Sequence, residues 1–273
     1  MRAGILGGGM IGAGWAELLR AHGHEARVYD ERRELCRGAG SVAEAVHGAD
    51  LVVEAVAERL PVKQAVLAEA AAHAPAGALI ASASSSILPT VLQEGLPHPA
   101  RVLVIHPLHP VTLIPVVEVV PGSATAPAAV EEARRLLLGL GKIPVVLRRE
   151  VQGYVVNRLA AALWREAIDL VLQGVVDVET LDLAVSRGPC LGWAVQGPFL
   201  TYELAAPGGL GPFMEHLHPA FASIWRTLAR WDSLPAGALD RLDSLADEAY
   251  GHLPRHELEA ERGRTLRRYL QTE

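Results

Sequence analysis

The sequence predicts an α/β protein in which a Rossmann-type, doubly wound parallel sheet is followed by an all-α C-terminal domain. Up to about residue 150, short apolar runs alternate with amphipathic helical patterns, as they do where helices cover both faces of a parallel sheet. From Gly153 onward the strand patterns stop and helical periodicity continues. We therefore expect two domains, 1–150 and 151–273, with a boundary near residues 149–152.

The first predicted strand runs directly into a glycine motif. Residues 2–6 form a short, mainly apolar run, and residues 7–12 carry the pattern G-x-G-x-x-G. In such a motif Gly7 permits a tight turn, Gly9 lets the backbone approach a pyrophosphate, and Gly12 lets a helix pack closely on the strand. The motif therefore predicts a dinucleotide site, and an unrelated glycine-rich turn is the alternative.

The residues around this motif support the dinucleotide interpretation. A helix starting after Gly9 would direct the backbone of Met10 and Ile11 at the phosphates. A second predicted strand, 25–29, ends at Asp30, close to the offset of about 20 residues at which a ribose-binding acid is expected. A carboxylate there favours NAD over NADP because it binds a free 2′-hydroxyl and repels a 2′-phosphate. The arginine pair at 32–33 weakens that preference.

The remaining strands follow from runs of Val, Ile and Leu, which are typical of strands buried on both faces. The remaining helices of both halves follow from helical periodicity. Strands are expected over 51–53, 78–81, 102–105, 116–120 and 144–147, and helices over 42–47, 62–72, 127–140, 155–172, 178–186 and 257–269. A cluster of glycine and proline at 207–212 predicts a loop inside the second domain.

A histidine and a glutamate follow each other on two of these strands. The run 102–105 ends on His106, and Glu118 lies within the next strand. Oxidation of an alcohol by hydride transfer requires a base for the hydroxyl proton, and a histidine held by a carboxylate performs this near neutral pH. A lone strand-end histidine more often has a structural role, but the predicted dinucleotide site favours His106 and Glu118 as a catalytic pair.

Composition narrows the class of protein. The chain has 273 residues, of which half are hydrophobic, and its net charge is −6, so it offers no basic patch for nucleic acid or an anionic membrane. No apolar run reaches membrane-spanning length, and Glu17 interrupts the only segment that resembles a signal peptide. Cys36 and Cys190 fall in different predicted domains, which indicates free thiols in a cytoplasmic protein. We expect no metal.

Six motifs and the single residue Asp30 occur in the order that is typical of one protein family, and together they span nearly the whole chain. The chain resembles the 3-hydroxyacyl-CoA dehydrogenase superfamily, whose members are NAD-dependent enzymes with a Rossmann domain and a helical domain. The matching segments are 7–12, Asp30, 58–63, 81–86, 106–107, 115–120 and 153–158.

The resemblance implies roles for individual residues. In this superfamily a histidine is the general acid/base, a glutamate orients it, and a serine and an asparagine lie near the substrate hydroxyl. The matching positions are His106, Glu118, Ser85 and Asn157, with Glu58 and Lys63 implied near the nicotinamide ribose. Lys63 is also one of only two lysines in the sequence, the other being Lys142.

The sequence departs from the superfamily pattern at two places that bear on the substrate. Three residues after the catalytic histidine, where members usually have an asparagine that contacts cofactor or substrate, this chain has His109. The span from Asp30 to Leu51 has room for one small helix, whereas acyl-CoA enzymes usually carry a long helical hairpin there that helps to hold CoA. The second departure favours a free acid over a CoA thioester.

The second half of the chain is more similar to the L-carnitine and L-gulonate 3-dehydrogenase group. It resembles that group over 163–167, 181–186 and 197–202. We expect NAD-dependent, reversible oxidation of the 3-hydroxyl of a short L-3-hydroxy acid to the 3-keto acid. The alternative is an L-3-hydroxyacyl-CoA dehydrogenase, and an NAD-binding protein without turnover is a third possibility. Aromatic residues of the second half offer the side chains for a cage around a quaternary ammonium, but ordinary helix packing is the favoured explanation for them. Apolar residues over 159–172 predict a homodimer.

Overall fold

The computed structural model describes residues 1–271, and its first part is a mixed sheet with helices on both faces. The strand order is β2-β1-β3-β4-β5-β6-β7. The strands are β1 (Arg2–Leu6), β2 (Glu25–Tyr29), β3 (Leu51–Glu54), β4 (Leu79–Ser82), β5 (Val102–Pro107), β6 (Val116–Pro121) and β7 (Ile143–Val146). The accompanying helices are α1 (Met10–Ala21), α2 (Val42–Val46), α3 (Leu60–His73), α4 (Pro89–Leu92) and α5 (Pro127–Gly139). The predicted Rossmann-type sheet is confirmed.

Strands β1 to β5 pair in parallel, and their side chains enter two separate cores. On β3, Leu51 and Val53 join the core that includes Trp15 of α1, whereas Val52 joins the core that includes Leu67 of α3. Because both faces of β3, β4 and β5 are covered, these strands consist of mainly continuous apolar runs, whereas the edge strand β2 alternates.

Strands β6 and β7 run in the opposite direction to β1–β5. Strand β6 is antiparallel to β5, and β7 is parallel to β6. Only residues 108–115 join β5 to β6, whereas a parallel connection needs a crossover of about a dozen residues or more. This antiparallel pairing sets His106 directly opposite Glu118 in the register.

The chain divides into two compact units. The first comprises Met1–Leu159 together with the segment from Leu266, and the second comprises Ala160–Thr265. The boundary that the sequence places near residues 149–152 stays a prediction, and the last two residues of the predicted 151–273 domain lie outside the described residues.

Helices make up the second part of the chain. They are α6 (Val156–Leu172), α7 (Val178–Arg187), α8 (Pro189–Glu203, interrupted at Gly197), α9 (Leu210–Thr227), α10 (Ala238–Tyr250) and α11 (Arg255–Leu270). A small core forms where Ala167 and Val171 of α6 pack with Leu181 of α7. Between residues 1 and 271, no helix combines the length and apolarity that a membrane crossing requires.

Candidate active site

The glycine motif forms the turn between β1 and α1. The space available for a side chain differs among its three motif glycines, Gly7, Gly9 and Gly12. Gly7 has φ +102°, and a Cβ at this position would lie 2.5 Å from the carbonyl oxygen of Ala55. At Gly12 a Cβ would overlap the carbonyl oxygen of Gly7. At Gly9, by contrast, a Cβ would meet no described atom within 4 Å. The backbone is therefore tightly packed at Gly7 and Gly12 and open at Gly9, which is the position where a pyrophosphate would approach.

The N-terminus of α1 has the properties of an anion site. Gly9 is its N-cap, and no side chain among the described residues caps the first turn. Met10, the first helical residue, has 66% of its surface exposed. The amide groups of Met10 and Ile11 begin a twelve-residue helix, so their N–H groups and the helix dipole favour a negative charge at this place. These residues fit the pyrophosphate of a dinucleotide.

Asp30 follows β2 and closes the other side of this turn. Its Oδ2 accepts a hydrogen bond from the Gly8 amide at 2.7 Å, and its Oδ1 accepts from the amide and the Nε of Arg32 at 2.9 and 3.1 Å. Burial raises the pKa of the Asp30 carboxyl, but the hydrogen bonds from Arg32 and Gly8 outweigh this and lower it overall. Asp30 is thus ionised, and Arg32, which weakens the sequence-based preference for NAD, is engaged by Asp30 itself.

His106 and Glu118 form a buried hydrogen-bonded pair. Nδ1 of His106 lies 2.8 Å from Oε2 of Glu118, and the two side chains are 6% and 0% exposed. Because an ionised carboxylate only accepts hydrogen bonds, Nδ1 must carry a proton. The other ring nitrogen, Nε2, then has its lone pair available to take a proton from a substrate.

The second oxygen of Glu118 is bound by the start of α6. Its Oε1 accepts hydrogen bonds from the amides of Val155 and Val156 at 2.8 and 3.1 Å. Burial raises the pKa of the Glu118 carboxyl, whereas the hydrogen bonds from His106, Val156 and Val155 lower it, and the net pKa lies below the usual value. The carboxylate is therefore charged and fixed in orientation at neutral pH.

Tyr154 is a site residue that sequence reasoning missed. It is fully buried, its ring centroid lies 5.4 Å from that of His106, and its hydroxyl donates to the carbonyl oxygen of Ile87 at 2.7 Å. Its φ of +52° is unusual for a residue with a side chain, and such strain persists only where surrounding contacts hold it. The run Gly153-Tyr154 between the last strand and α6 signals a turn, but nothing in it indicates contact with the histidine.

The serine turn, residues 84–86, follows β4 and carries Ser85. Asn157 on the first turn of α6 donates its amide Nδ2 to the Ser85 carbonyl oxygen at 2.9 Å. The Ser85 hydroxyl lies 3.4 Å from Oε1 of Glu58, which is a long hydrogen bond. Glu58, Ser85 and Asn157 are therefore brought together from three segments that are far apart in sequence.

The structure gives Glu58 and Lys63 partners within the protein. Oε1 of Glu58 accepts from the amides of Ser85 and Ser86 at 2.9 and 3.1 Å, and its Oε2 pairs with Nζ of Lys63 at 3.2 Å. Burial raises the pKa of the Glu58 carboxyl, but hydrogen bonds from Ser84 and the charge of Lys63 lower it overall. Lys63 is 1% exposed, so it is an internal cation rather than a surface lysine.

His109 lies on the connection between β5 and β6, and its side chain is exposed. The same connection is held by the buried Lys142, whose ammonium donates to the carbonyl oxygens of Val111 and Ile114. Among the described residues, no hydrogen bond joins His109 to the His106 and Glu118 pair. Its implied contact with cofactor or substrate therefore remains a prediction. Within residues 1–271, no group of three or more His, Cys, Asp or Glu side chains is arranged to hold a metal ion.

Both parts of the chain match known protein families. Residues 31–151 match the family described as 3-hydroxyacyl-CoA dehydrogenase, NAD binding domain, and residues 153–236 match the C-terminal domain of 3-hydroxyacyl-CoA dehydrogenase. The L-carnitine dehydrogenase of Streptomyces griseus is 36% identical over 96% of this chain and 93% of its own length. That of Mesorhizobium japonicum is 35% identical over 94% of this chain and 79% of its own length.

Solved structures with the same fold include two dehydrogenases. One is 5-formyl-3-hydroxy-2-methylpyridine 4-carboxylic acid 5-dehydrogenase, an NAD+-dependent dismutase; it has a TM-score of 0.84 and 28% identity, covering 99% of this chain and 98% of its own. The other is 3-hydroxybutyryl-CoA dehydrogenase of Escherichia coli K12; it has a TM-score of 0.63 and 29% identity, covering 81% of this chain and 53% of its own.

Proposed function

The chain belongs to the 3-hydroxyacyl-CoA dehydrogenase family, and from this premise we propose that it oxidises L-carnitine or a closely similar short L-3-hydroxy acid. At the coarser level it is an NAD-dependent oxidoreductase that acts on the hydroxyl of a 3-hydroxy acid. The finer assignment is supported by L-carnitine dehydrogenases that are about 36% identical over most of the chain. The observation that carries it in the structure is the buried pair of His106 and Glu118.

The proposed mechanism assigns one task to each side chain. Nε2 of His106 takes the proton of the substrate hydroxyl while a hydride leaves the carbon that bears this hydroxyl. A ketone and an imidazolium remain. Glu118 fixes the tautomer in which Nε2 is free and stabilises the imidazolium. Ser85 and Asn157 position the hydroxyl. In the reverse direction the imidazolium returns its proton to the ketone oxygen.

When bound, NAD accepts the hydride from the substrate carbon. We propose that Gly9, Met10 and Ile11 contact its pyrophosphate and that Asp30 binds the adenosine ribose. Gly7 and Gly12 maintain the shape of the turn. We assign Glu58 and His109 to contacts with the nicotinamide half of NAD. An ionised carboxylate at Asp30 repels the 2′-phosphate of NADP, so this residue supports the preference for NAD.

A second candidate is dismutation of an aldehyde that carries a carboxylate. It is favoured by one observation, the TM-score of 0.84 over 99% of the chain with the NAD+-dependent dismutase. The proposed pair of His106 and Glu118 would serve this reaction as well, because the hydrate of an aldehyde also presents a hydroxyl on the carbon that loses hydride. One aldehyde is then oxidised to the acid, and the hydride reduces a second aldehyde to the alcohol.

We further propose that the protein is a cytoplasmic homodimer. Support for the dimer comes from large apolar side chains of the helical part that are exposed in the single chain, including Leu163 and Trp164 of α6 and Phe199 of α8, which are 42%, 61% and 77% exposed. Support for the compartment comes from Cys36 and Cys190, which are both free thiols.

The deciding experiment is a substrate panel with purified protein and NAD, followed by NADH absorbance and by product analysis. The panel contains L-carnitine, L-gulonate, L-3-hydroxybutyrate, L-3-hydroxybutyryl-CoA and the pyridine aldehyde of the dismutase. NADH formation with L-carnitine at saturable concentration is the expected result. Turnover of the CoA thioester alone would overturn the free-acid assignment. Aldehyde consumption that yields acid and alcohol without net NADH would establish the second candidate.

A further inference from the structure

Tyr154 combines a strained backbone with a fully buried side chain. It lies in the turn between β7 and α6, and both Gly153 and Tyr154 have positive φ, +74° and +52°. The Tyr154 amide donates to the carbonyl oxygen of Val151 at 2.9 Å, and its side chain is 0% exposed in the core that includes Leu67 of α3. A left-handed conformation costs free energy for a residue with a side chain, so the contacts of this side chain must hold it in place.

The ring of Tyr154 gives the His106 imidazole a second contact. The two ring centroids are 5.4 Å apart, and the ring planes are inclined by 58°. The hydrogen bond from Nδ1 to Glu118 fixes one atom of the imidazole but permits the ring to tilt about that bond. Aromatic rings at this separation have preferred relative orientations. The Tyr154 ring therefore restricts the tilt of the imidazole and with it the direction in which Nε2 faces a substrate.

The hydroxyl of Tyr154 reaches the segment that carries Ser85. It donates to the carbonyl oxygen of Ile87 at 2.7 Å. Burial raises the pKa of this hydroxyl, so it stays protonated and acts as a donor. The amide of Ile87 in turn donates to the hydroxyl oxygen of Ser84 at 3.0 Å, at the start of the serine turn. The side chain that contacts His106 is thus also tied to the end of the serine turn.

The backbone that follows Tyr154 binds the same two parts of the site. The amides of the next two residues donate to Oε1 of Glu118 at 2.8 and 3.1 Å, and the side chain of Asn157 donates to the carbonyl oxygen of Ser85 at 2.9 Å. These residues begin α6, so their places depend on the turn in which Tyr154 is held. Tyr154 is therefore joined to the histidine pair and to the serine turn by its ring, its hydroxyl and its backbone.

We propose that Tyr154 is a positioning residue that aligns the His106 imidazole with the serine turn, so that Nε2 and the Ser85 hydroxyl meet the same substrate hydroxyl. This inference rests on the roles of His106 and Ser85 in the proposed function. The ring of Tyr154 sets the tilt of the imidazole, and its hydroxyl holds the serine turn in place relative to the imidazole. Tyr154 itself takes and gives no proton in the reaction, because its hydroxyl is bound to Ile87.

Two substitutions separate the ring from the hydroxyl. Tyr154→Phe removes only the hydroxyl, whereas Tyr154→Leu also removes the aromatic ring and keeps a buried apolar side chain. We expect the rate constant of hydride transfer, measured in a single turnover with saturating substrate and NAD, to fall about ten- to hundredfold in Tyr154→Leu. This is the size of effect that a small misplacement of a reacting group produces. Tyr154→Phe should recover most of this rate, and in both variants KM and the dissociation constant of NADH should change little.

A purely structural role of Tyr154 predicts a different pattern. If the side chain only filled the core, Tyr154→Leu would lower the melting temperature and keep the wild-type rate of hydride transfer, which would overturn the proposal. Equal losses of rate in Tyr154→Leu and Tyr154→Phe would show that the ring contact has no effect, and they would overturn it as well.

Each Tyr154 variant has a matched control. Val46→Ala removes buried volume of α2 from the same core, so it should lower the melting temperature without a change in the rate of hydride transfer. An equal fall of the rate in Val46→Ala would trace the loss to destabilisation and would overturn the proposal. Tyr250→Phe removes a hydroxyl that donates to Asp182 in the second unit, and it should leave the rate unchanged.

Two further measurements do not depend on turnover. In protein with isotope-labelled histidine, the NMR signal of the His106 ring, identified by its loss in His106→Ala, should be single and sharp in the wild type and in Tyr154→Phe. It should be broadened or split in Tyr154→Leu, because the imidazole then samples more than one tilt. Hydrogen exchange of the peptide 84–88 should be faster in Tyr154→Phe than in the wild type, since the Ile87 carbonyl oxygen loses its donor.

These measurements also distinguish the inference from the proposed function. An unchanged His106 signal in Tyr154→Leu, or unchanged exchange of the peptide 84–88 in Tyr154→Phe, overturns the proposal. Tyr154→Phe retains the buried ring, so the exchange measurement applies even if Tyr154→Leu does not fold. If the wild type turns over none of the substrates, the proposed function fails, while the two measurements still decide whether Tyr154 aligns the histidine with the serine turn.

Discussion

At the scale of single residues, the site is organised by carboxylates that divide their two oxygens between different partners. Glu118 binds His106 with one oxygen and the start of α6 with the other. Glu58 binds Lys63 and the serine turn, and Asp30 binds Arg32 and the Gly8 amide. In each case backbone N–H groups fix the carboxylate, which leaves the charge rigid. A rigid charge needs no reorganisation when a neighbouring group gains or loses a proton.

His106 gives the most direct prediction at this scale. His106→Ala removes the proposed base while leaving the glycine turn intact, so turnover should fall about 10²- to 10⁴-fold, the usual contribution of general acid–base catalysis. The dissociation constant of NADH, measured by its fluorescence, should stay close to that of the wild type.

The control for this prediction is His73→Ala, which changes an exposed histidine near the end of α3. It should retain wild-type turnover. A His106→Ala protein that folds and turns over substrate normally would contradict the assignment of the base.

Glu118 gives a prediction about pH. Because its folded-state pKa is lowered, its charge stabilises the protein fully above the unfolded value of about 4.5, and this stabilisation is lost as pH falls through the lower folded value. Glu118→Gln should therefore lower the free energy of unfolding by about 1.5–3 kcal/mol at pH 7, the range for hydrogen bonds to a charged group. The difference from the wild type should shrink below about pH 4.5.

Thermal unfolding of both proteins between neutral and acidic pH checks this. Glu118→Gln should also fold at pH 7 and lose turnover, since a glutamine amide that donates to Nδ1 of His106 would place the ring proton on Nε2. A constant difference in stability across the whole pH range would show that the charge of Glu118 is not the origin of the effect.

At the scale of elements, strand identity was predictable and strand direction was not. Continuous runs of Val, Ile and Leu predicted all of β3 to β6 within a few residues, because burial on both faces leaves a clear signal in the sequence. The antiparallel turn into β6 depends on the short connection 108–115, and that connection is what sets His106 opposite Glu118. The loop predicted over 207–212 lies three residues earlier in the structure, at 204–209, since α8 ends at Glu203 and α9 begins at Leu210. Pro212 falls in the first turn of α9, where proline is tolerated.

The site was predictable to the extent that its residues form motifs. His106, Glu118 and Asn157 were found because their residue types match a chemistry and a family pattern. Tyr154 was missed although it lies in the family segment 153–158, because a tyrosine after a glycine carries no pattern that points to His106. Its contact with His106 arises from packing between segments that are distant in sequence.

The turn between β1 and α1 provides a prediction in which two substitutions of the same kind have different effects. Gly12→Ala would drive a methyl group into the Gly7 carbonyl oxygen, so it should lower both the melting temperature and NADH affinity. The methyl group of Gly9→Ala would meet no described atom within 4 Å, so this variant should fold like the wild type. It should bind NADH more weakly, because the methyl group would occupy the space where the pyrophosphate approaches.

Gly139→Ala is the matched control, because it lies at the end of α5 with open space around it among the described residues. It should change neither property measurably. Equal NADH affinity for Gly9→Ala and the wild type would place the pyrophosphate elsewhere.

At the scale of the whole molecule, α6 has two kinds of apolar surface. Ala167, Ile168 and Val171 in its second half are buried, whereas Leu163 and Trp164 nearer its start are exposed. Large apolar side chains are expensive to expose together in a monomer, so their accumulation favours a second copy of the chain as the partner. The net charge of −6 favours solubility of the protein and does not by itself oppose such a contact.

The dimer proposal predicts a solution mass of about twice the 29.1 kDa of one chain in light scattering coupled to gel filtration. Leu163→Glu and Trp164→Glu would place charges within the proposed contact, so each should shift the protein toward the monomer and lower its melting temperature. The control is Leu138→Glu, which changes a comparably exposed leucine of α5 in the first unit and should leave the mass unchanged. If both α6 variants keep the wild-type mass, whatever that mass is, then α6 does not form the contact. A wild-type mass of one chain at high concentration would contradict the dimer itself.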